Sequence, residues 1–140
     1  MATRRIVLRG FTLVEILIVV VILGVLSSLV VPQFAQATQD SQITATKDQL
    51  EKIRRAIQVY YVRTATFPDV TPGQGTWGGL IGPSYMRTPP VNAWTGGGKT
   101  VVLRAAPDVS FQATDAWIYD PSTGQVWAGG FDSSDAPHPR

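Results

Sequence analysis

The sequence predicts an α+β chain in which one long N-terminal helix packs on a small antiparallel β-sheet. Three observations carry this expectation. Phe11 to Val31 is apolar except for Thr12, Glu15 and two serines, Phe34 to Thr64 reads as helix without a Gly or Pro, and the composition then turns sharply to Gly and Pro. Short β-branched runs follow, separated by turn residues.

Phe11 to Val31 is 21 residues long, and an α-helix needs roughly 20 apolar residues to cross a hydrocarbon core. A cleaved secretory signal also places basic residues before an apolar run, but its apolar region is about 7–15 residues and ends at small residues. Here Glu15 interrupts the start, the run is longer, and Ser27-Ser28-Leu29-Val30-Val31-Pro32 supplies no Ala-x-Ala-like site. Arg4, Arg5 and Arg9 precede the run. Basic residues beside a first membrane helix stay cytoplasmic, so the N-terminus is expected inside, with everything after Pro32 outside the inner membrane.

Glu15 is the informative residue. A carboxylate at the centre of a membrane helix costs about 2.5–3.5 kcal/mol on insertion scales and is normally partnered. The next cation after Arg9 is Lys47, far beyond the run. A cationic partner must come from another molecule or from a new amine, and a cut after Gly10 would create one on Phe11.

Gly10-Phe11-Thr12-Leu13-Val14-Glu15, with the apolar run behind it, resembles the class III signal of type IV pilins and type II secretion pseudopilins. The resemblance covers Arg9–Pro32 and implies a type IV pilin-like fold. It implies that a prepilin peptidase cuts between Gly10 and Phe11 on the cytoplasmic side and N-methylates Phe11. It also implies that Glu15 pairs with the terminal amine of a neighbouring subunit during assembly. Gly24 and Pro32 stand where family members commonly carry Gly and Pro, and mark the stretch in which the helix kinks or locally unwinds.

Past Pro32 the helical pattern continues. Ile43, Thr46, Leu50, Ile53, Ile57, Tyr60 and Thr64 recur at spacings of three and four, a mostly apolar stripe on one face. Charged residues fill the rest, with Glu51 four residues before Arg55 as a helical pair. These charges read first as a solvated face. A proline within a helix removes one hydrogen bond, yet membrane helices tolerate it. One kinked helix from Phe11 to Thr64, roughly 80 Å long at 1.5 Å per residue, is therefore expected.

Ala65-Thr66-Phe67-Pro68-Asp69 ends the helix, and Phe67-Pro68 resembles the Tyr-Pro that follows the long helix in pseudopilins. Pro72–Gly79 contains G-x-G-x-x-G, but no strand precedes it and no helix follows, so it reads as a flexible loop and not a nucleotide site. Leu80–Met86 reads as a short helical turn. Asn92-Ala93-Trp94-Thr95-Gly96 loosely resembles an Asp-Pro-Trp-Gly stretch of major pseudopilins, and no site is carried over from it. Strands are expected at Lys99–Ala105 and Val109–Ala113, then a hairpin from Ala116–Tyr119 to Gln125–Ala128 around Asp120-Pro121-Ser122-Thr123-Gly124. The four tryptophans, Trp77, Trp94, Trp117 and Trp127, read as core packing.

The expected segments are residues 1–10, a leader peptide; 11–32, the membrane and filament-core half of the helix; 33–64, its amphipathic half; 65–98, a Gly/Pro-rich connection; and 99–140, the sheet and C-terminal tail. The formal charge of +2 over 140 residues misleads, because three arginines lie in the leader. Without them nine basic and ten acidic side chains remain, so bulk charge gives no support to nucleic-acid binding. There is no cysteine; many type IVa pilins close a C-terminal loop with a disulfide, and this departure tilts the reading towards a pseudopilin or a disulfide-free pilin.

One histidine, His138, cannot build a triad or a His/Cys zinc site, and no enzyme is expected. No cofactor is expected either. Asp132, Ser133 and Asp135 could donate oxygens to calcium, which major pseudopilins bind in C-terminal loops, but the spacing is not an EF-hand and a solvated acidic tail is the alternative.

The expectation is a structural subunit of a type II secretion pseudopilus or type IV pilus. It would be held in the inner membrane with a periplasmic C-terminal domain before it joins the filament. The partners implied are the prepilin peptidase, identical and related subunits, the assembly platform and the lipid bilayer. The alternative is a minor pilin or membrane-tethered binding domain, for adhesion or DNA uptake.

Overall fold

The computed structural model describes residues 10–140, apart from the side chain of Pro32. Residues 1–9, with Arg4, Arg5 and Arg9, lie outside the described residues. The chain divides into two compact units, Met1–Thr38 and Gln39–Arg140.

A single helix, α1, runs over Leu13–Thr64. It starts two residues later than the apolar pattern because Thr12 acts as its N-cap. In the first unit the described helical side chains are exposed, an apolar surface with nothing packed on it. The helix is continuous through Gly24 and Pro32. It ends where Ala65 turns into the left-handed region at φ 56° while its N–H still donates to the Tyr61 carbonyl at 2.8 Å. Arg63 in the last turn complements the negative end of the helix dipole.

In the second unit the stripe faces the core. Thr46, Leu50, Ile53 and Ile57 are buried, Ile43 and Tyr60 pack at the margin, and Thr64 is exposed at the end. Ala56 joins them. Glu51 lies 3.6 Å from Arg54, one residue before the expected Arg55.

The sheet has four strands in the order β1 (Gly73–Gln74), β2 (Thr100–Leu103), β3 (Trp117–Asp120) and β4 (Gln125–Ala128). It is mixed, which corrects the expectation of a wholly antiparallel sheet: β1–β2 and β3–β4 are antiparallel, but Val101–Leu103 run parallel to Trp117–Tyr119. Parallel neighbours need a crossover of about a dozen residues or more, and residues 104–116 provide it. That is also why Val109–Ala113 is not the expected strand. Here side chains replace the ladder: the Gln112 amide oxygen accepts the N–H groups of Thr114 and Asp115, each at 2.8 Å, and Val109 is left 93% exposed.

The Gly-rich stretch is structured, not a flexible loop. Gly73–Gln74 is an edge strand, Gly75 N–H donates to the Lys99 carbonyl at 2.8 Å, and Trp77 is buried ahead of a 3-10 turn at Gly78–Leu80. The hairpin is as expected: Asp120 Oδ1 accepts Ser122 N–H at 2.9 Å and Oδ2 accepts the Thr123 hydroxyl at 2.7 Å. Gly124 closes the turn at φ 70°, where a Cβ would strike the Phe67 ring.

The core joins the helix stripe to Trp77, Leu80, Trp117, Tyr119 and Phe131, and all four tryptophans are buried. At its centre sits Asn92, fully buried. Its amide nitrogen donates to the carbonyls of Ala116 (2.8 Å) and Gly129 (3.0 Å), and its oxygen accepts the Thr46 hydroxyl at 3.1 Å and the Trp94 N–H at 2.9 Å. One side chain thereby ties helix, loop and sheet. A buried amide with its partners in place is stabilising, and an unsatisfied one is costly.

Candidate functional site

The sequence points to Gly10, Phe11 and Glu15, and the structure places Gly10 and Phe11 just ahead of α1 and Glu15 in its first turn. Gly10 is exposed, with open space where a side chain would stand. Phe11 is 82% exposed. The Gly10–Phe11 bond is therefore presented on accessible chain before the first helical residue.

Glu15 is not left unsatisfied. Thr12 donates to Glu15 Oε2 through both its backbone N–H and its hydroxyl, each at 2.8 Å, and Glu15 N–H donates back to Thr12 Oγ1 at 3.2 Å. This is a capping box, in which two helix-end donors are satisfied reciprocally. It supplies hydrogen bonds but no positive charge. Thr12 is the residue that reading for charge alone passes over, although the signal, Thr-x-x-Glu before an apolar run, is plainly there.

Beyond Glu15 the helix is long and apolar enough to cross a membrane, and none of its most apolar window is buried within the chain. Gly24 has nothing within 4 Å of where a Cβ would be. A smooth apolar cylinder can either face lipid or pack against like helices.

The calcium candidates lie in the second unit. Asp135 sits at φ 60°, and its two oxygens accept the Arg54 guanidinium at 2.6 and 2.9 Å. Arg54 also donates to the Val126 carbonyl at 3.2 Å, and its pKa is raised above the usual arginine value, chiefly by the Asp135 bond. Asp132 Oδ1 accepts Ser134 N–H and hydroxyl at 2.8 Å and Ala136 N–H at 2.9 Å. These bonds, Ala136 first, hold its carboxyl below the ordinary range. Calcium typically takes six to eight oxygens; with three of the four oxygens of this pair engaged, the arrangement does not fit that ion. No cluster of three or more metal-binding side chains occurs among the described residues.

A family model described as the prokaryotic N-terminal methylation motif matches residues 9–31. The type II secretion system core protein G of Pseudomonas aeruginosa is 39% identical over 64 residues, 46% of this chain and 45% of that protein. The type IV major fimbrial protein FimA of Dichelobacter nodosus is 36% identical over 50 residues, 36% of this chain and 32% of its own length. The core protein G of Klebsiella michiganensis matches further: 30% identity over 100 residues, 63% of this chain and 69% of that relative.

This chain belongs to the type IV pilin and pseudopilin family. The long helix followed by a small sheet is the pilin-like arrangement, and together with the apolar N-terminal segment it fits a membrane-anchored subunit. The chain spans less than half the length of the first relatives it matches. No solved structure matches it. The pilin-like reading accounts for the exposed helix, whereas the Asn92 centre and the Arg54–Asp135 pair are features that the motif leaves unmentioned.

Proposed function

We propose that the chain is a structural subunit of a type II secretion pseudopilus or type IV pilus. The observation that carries this is the juxtaposition at the head of α1: an accessible Gly10–Phe11 bond, a capped Glu15, and then an apolar helical surface with no partner in its own chain. The longer match, to a secretion core protein, favours the pseudopilus.

In this reading a prepilin peptidase cuts after Gly10 and methylates Phe11. The N-terminus lies on the cytoplasmic side and the second unit in the periplasm. As the subunit leaves the inner membrane through its assembly platform, lipid is exchanged for the helices of identical and related subunits. The Phe11 amine of one subunit neutralises Glu15 of another, which removes the cost of an unpaired carboxylate in an apolar medium. Gly24 and Pro32 let the helix loosen between them while the helices pack.

The test compares two variants of the full chain in cells that carry the assembly machinery. Gly10→Leu should remain uncut in the membrane, seen as an unprocessed mass without N-methylphenylalanine. Glu15→Ala should be cut and inserted but absent from sheared filaments. Wild-type filament yield from Glu15→Ala would overturn the pairing role, and normal processing of Gly10→Leu would overturn the peptidase step.

A further inference from the structure

A groove of about 650 Å³ opens in the second unit between the last turns of α1 and the β3–β4 hairpin, within the range of about 300–1,000 Å³ usual for small-molecule sites. Its one charged lining residue among the described residues is Arg54, and that guanidinium is already held by both oxygens of Asp135 at 2.6 and 2.9 Å. The groove is therefore electrically neutral.

Three rings make up its aromatic part: Tyr61, Phe67 and Trp127. Tyr61 stacks on Phe67 with ring centres 4.7 Å apart and planes 24° from parallel. The Phe67 ring in turn rests on Gly124, in the space that a Cβ would take. A bare glycine thus seats the stack, and Tyr61, still 45% exposed, is presented to solvent on a fixed support. Trp127 is only 8% exposed. Its indole N–H nevertheless has no partner among the described residues and keeps access to solvent, whereas Trp117 donates to the Pro90 carbonyl at 3.1 Å and Trp77 and Trp94 are enclosed. A buried indole N–H usually finds a partner. The side-chain amides of Gln58 and Gln125 and the Ser133 hydroxyl line the same groove, exposed and without a hydrogen bond among the described residues.

Other classes of ligand leave part of this lining unmatched. An ion finds no uncompensated charge. A purely apolar chain would cover the indole N–H and the amides without bonding them, at about 1–3 kcal/mol for each group left unsatisfied. β4 is an edge strand, but its Val126 carbonyl accepts Arg54, so an extended peptide cannot add a full strand there. A pyranose ring matches both parts. Its C–H face carries weakly positive hydrogens that suit the negative face of an aromatic ring, and its rim of hydroxyls donates and accepts.

We infer that this groove binds a neutral oligosaccharide, with the Tyr61 ring against one sugar face and Gln58, Gln125 and the Trp127 N–H on the hydroxyls. The binding belongs to the second unit alone and does not depend on the filament reading.

The test titrates the full chain, in phosphatidylcholine nanodiscs free of glycoside detergent, with chitotetraose, cellotetraose and maltotetraose, followed by calorimetry. At least one is expected to bind saturably, and raising the salt about tenfold should leave its affinity unchanged. Tyr61→Ala should weaken binding about tenfold and Tyr61→Phe by less than about twofold, because the ring and not its hydroxyl makes the contact. Gln125→Ala should weaken it about threefold. That side chain is exposed, so its loss should not move the thermal midpoint, and Gln125→Ala decides the matter if Tyr61→Ala lowers the midpoint. Binding of none of the three sugars, or wild-type affinity in either Tyr61→Ala or Gln125→Ala, overturns the inference. Salt-sensitive binding of dextran sulfate that Tyr61→Ala abolishes would assign the groove to a polyanion and overturn it as well.

Discussion

Thr12 and Glu15 hold one another across the first turn of α1, with two hydrogen bonds of 2.8 Å onto one carboxylate oxygen and one of 3.2 Å returned. The contact fixes where the helix begins, three residues after Gly10, and it aims the carboxylate back towards the chain start. Thr12→Val keeps the shape and removes the hydroxyl. Filament yield should fall about threefold as the helix start loosens, with processing at Gly10 unchanged, measured as the filament and membrane fractions of cut chain.

Asn92 offers a second test, in the second unit. Asn92→Ala strips partners from the carbonyls of Ala116 and Gly129, the Thr46 hydroxyl and the Trp94 N–H in one step. The Ala116 carbonyl keeps the Gly129 N–H, the Thr46 hydroxyl keeps the Gln42 carbonyl and the Trp94 N–H keeps Thr46 Oγ1, so the Gly129 carbonyl is the group chiefly stranded and a loss of about 1–3 kcal/mol is expected. Thermal unfolding followed by tryptophan fluorescence would show it.

The Arg54–Asp135 pair ties the C-terminal loop to the helix by a two-pronged bond. Arg54→Met should cost about 1–2 kcal/mol, because it leaves a half-buried carboxylate and the Val126 carbonyl without their donor. Arg54→Lys should recover part of that through one bond. With Asp135 engaged in this way, the thermal midpoint of the wild-type chain should be the same in millimolar calcium and in EDTA.

Stability should fall at both ends of the pH scale. Asp108 is pushed up by burial, but bonds from Gly130 N–H, Gln112 and Arg104 outweigh this and hold it below its ordinary value; Asp120 is lowered by Ser122 and Thr123. The unfolded chain then binds protons more readily, so the stability these groups give is present above the ordinary carboxylate range near about 3.9 and is lost as pH falls through their folded values. Tyr119, whose hydroxyl donates to the Pro68 carbonyl at 3.0 Å, is pushed up to about 12 by burial. Its contribution is full below about pH 10 and drains away as pH rises towards the folded value. Thermal midpoints across the pH range should show both slopes, and Tyr119→Phe should flatten the alkaline one.

The helix and the terminal hairpin were legible because each rests on local chemistry. Spacings of three and four placed Leu50, Ile53 and Ile57 inside, and Asp120 to Gly124 spelled a turn. The sheet's topology was not legible, because a parallel partner for Val101 lies sixteen residues away at Trp117 and pairing at that distance leaves no periodic trace. Val109–Ala113 looked like a strand by composition, yet Gln112 bonds Asp108 and takes the N–H groups of Thr114 and Asp115 that follow the segment. At the head of the chain the motif named Gly10, Phe11 and Glu15, while the cap from Thr12 showed itself only once hydrogen bonds were counted as well as charges. The seating of Tyr61 and Phe67 on Gly124 is a tertiary event that no spacing records.

The groups that converge on the Asn92 side chain come from residues 46, 94, 95, 116 and 129, so its bonds are complete only once the chain just past the last strand has been made. Contacts of such long sequence separation form late and together. The second unit therefore completes its central network late, and a chain that stops before Gly129 lacks one of the two carbonyls that the Asn92 amide needs.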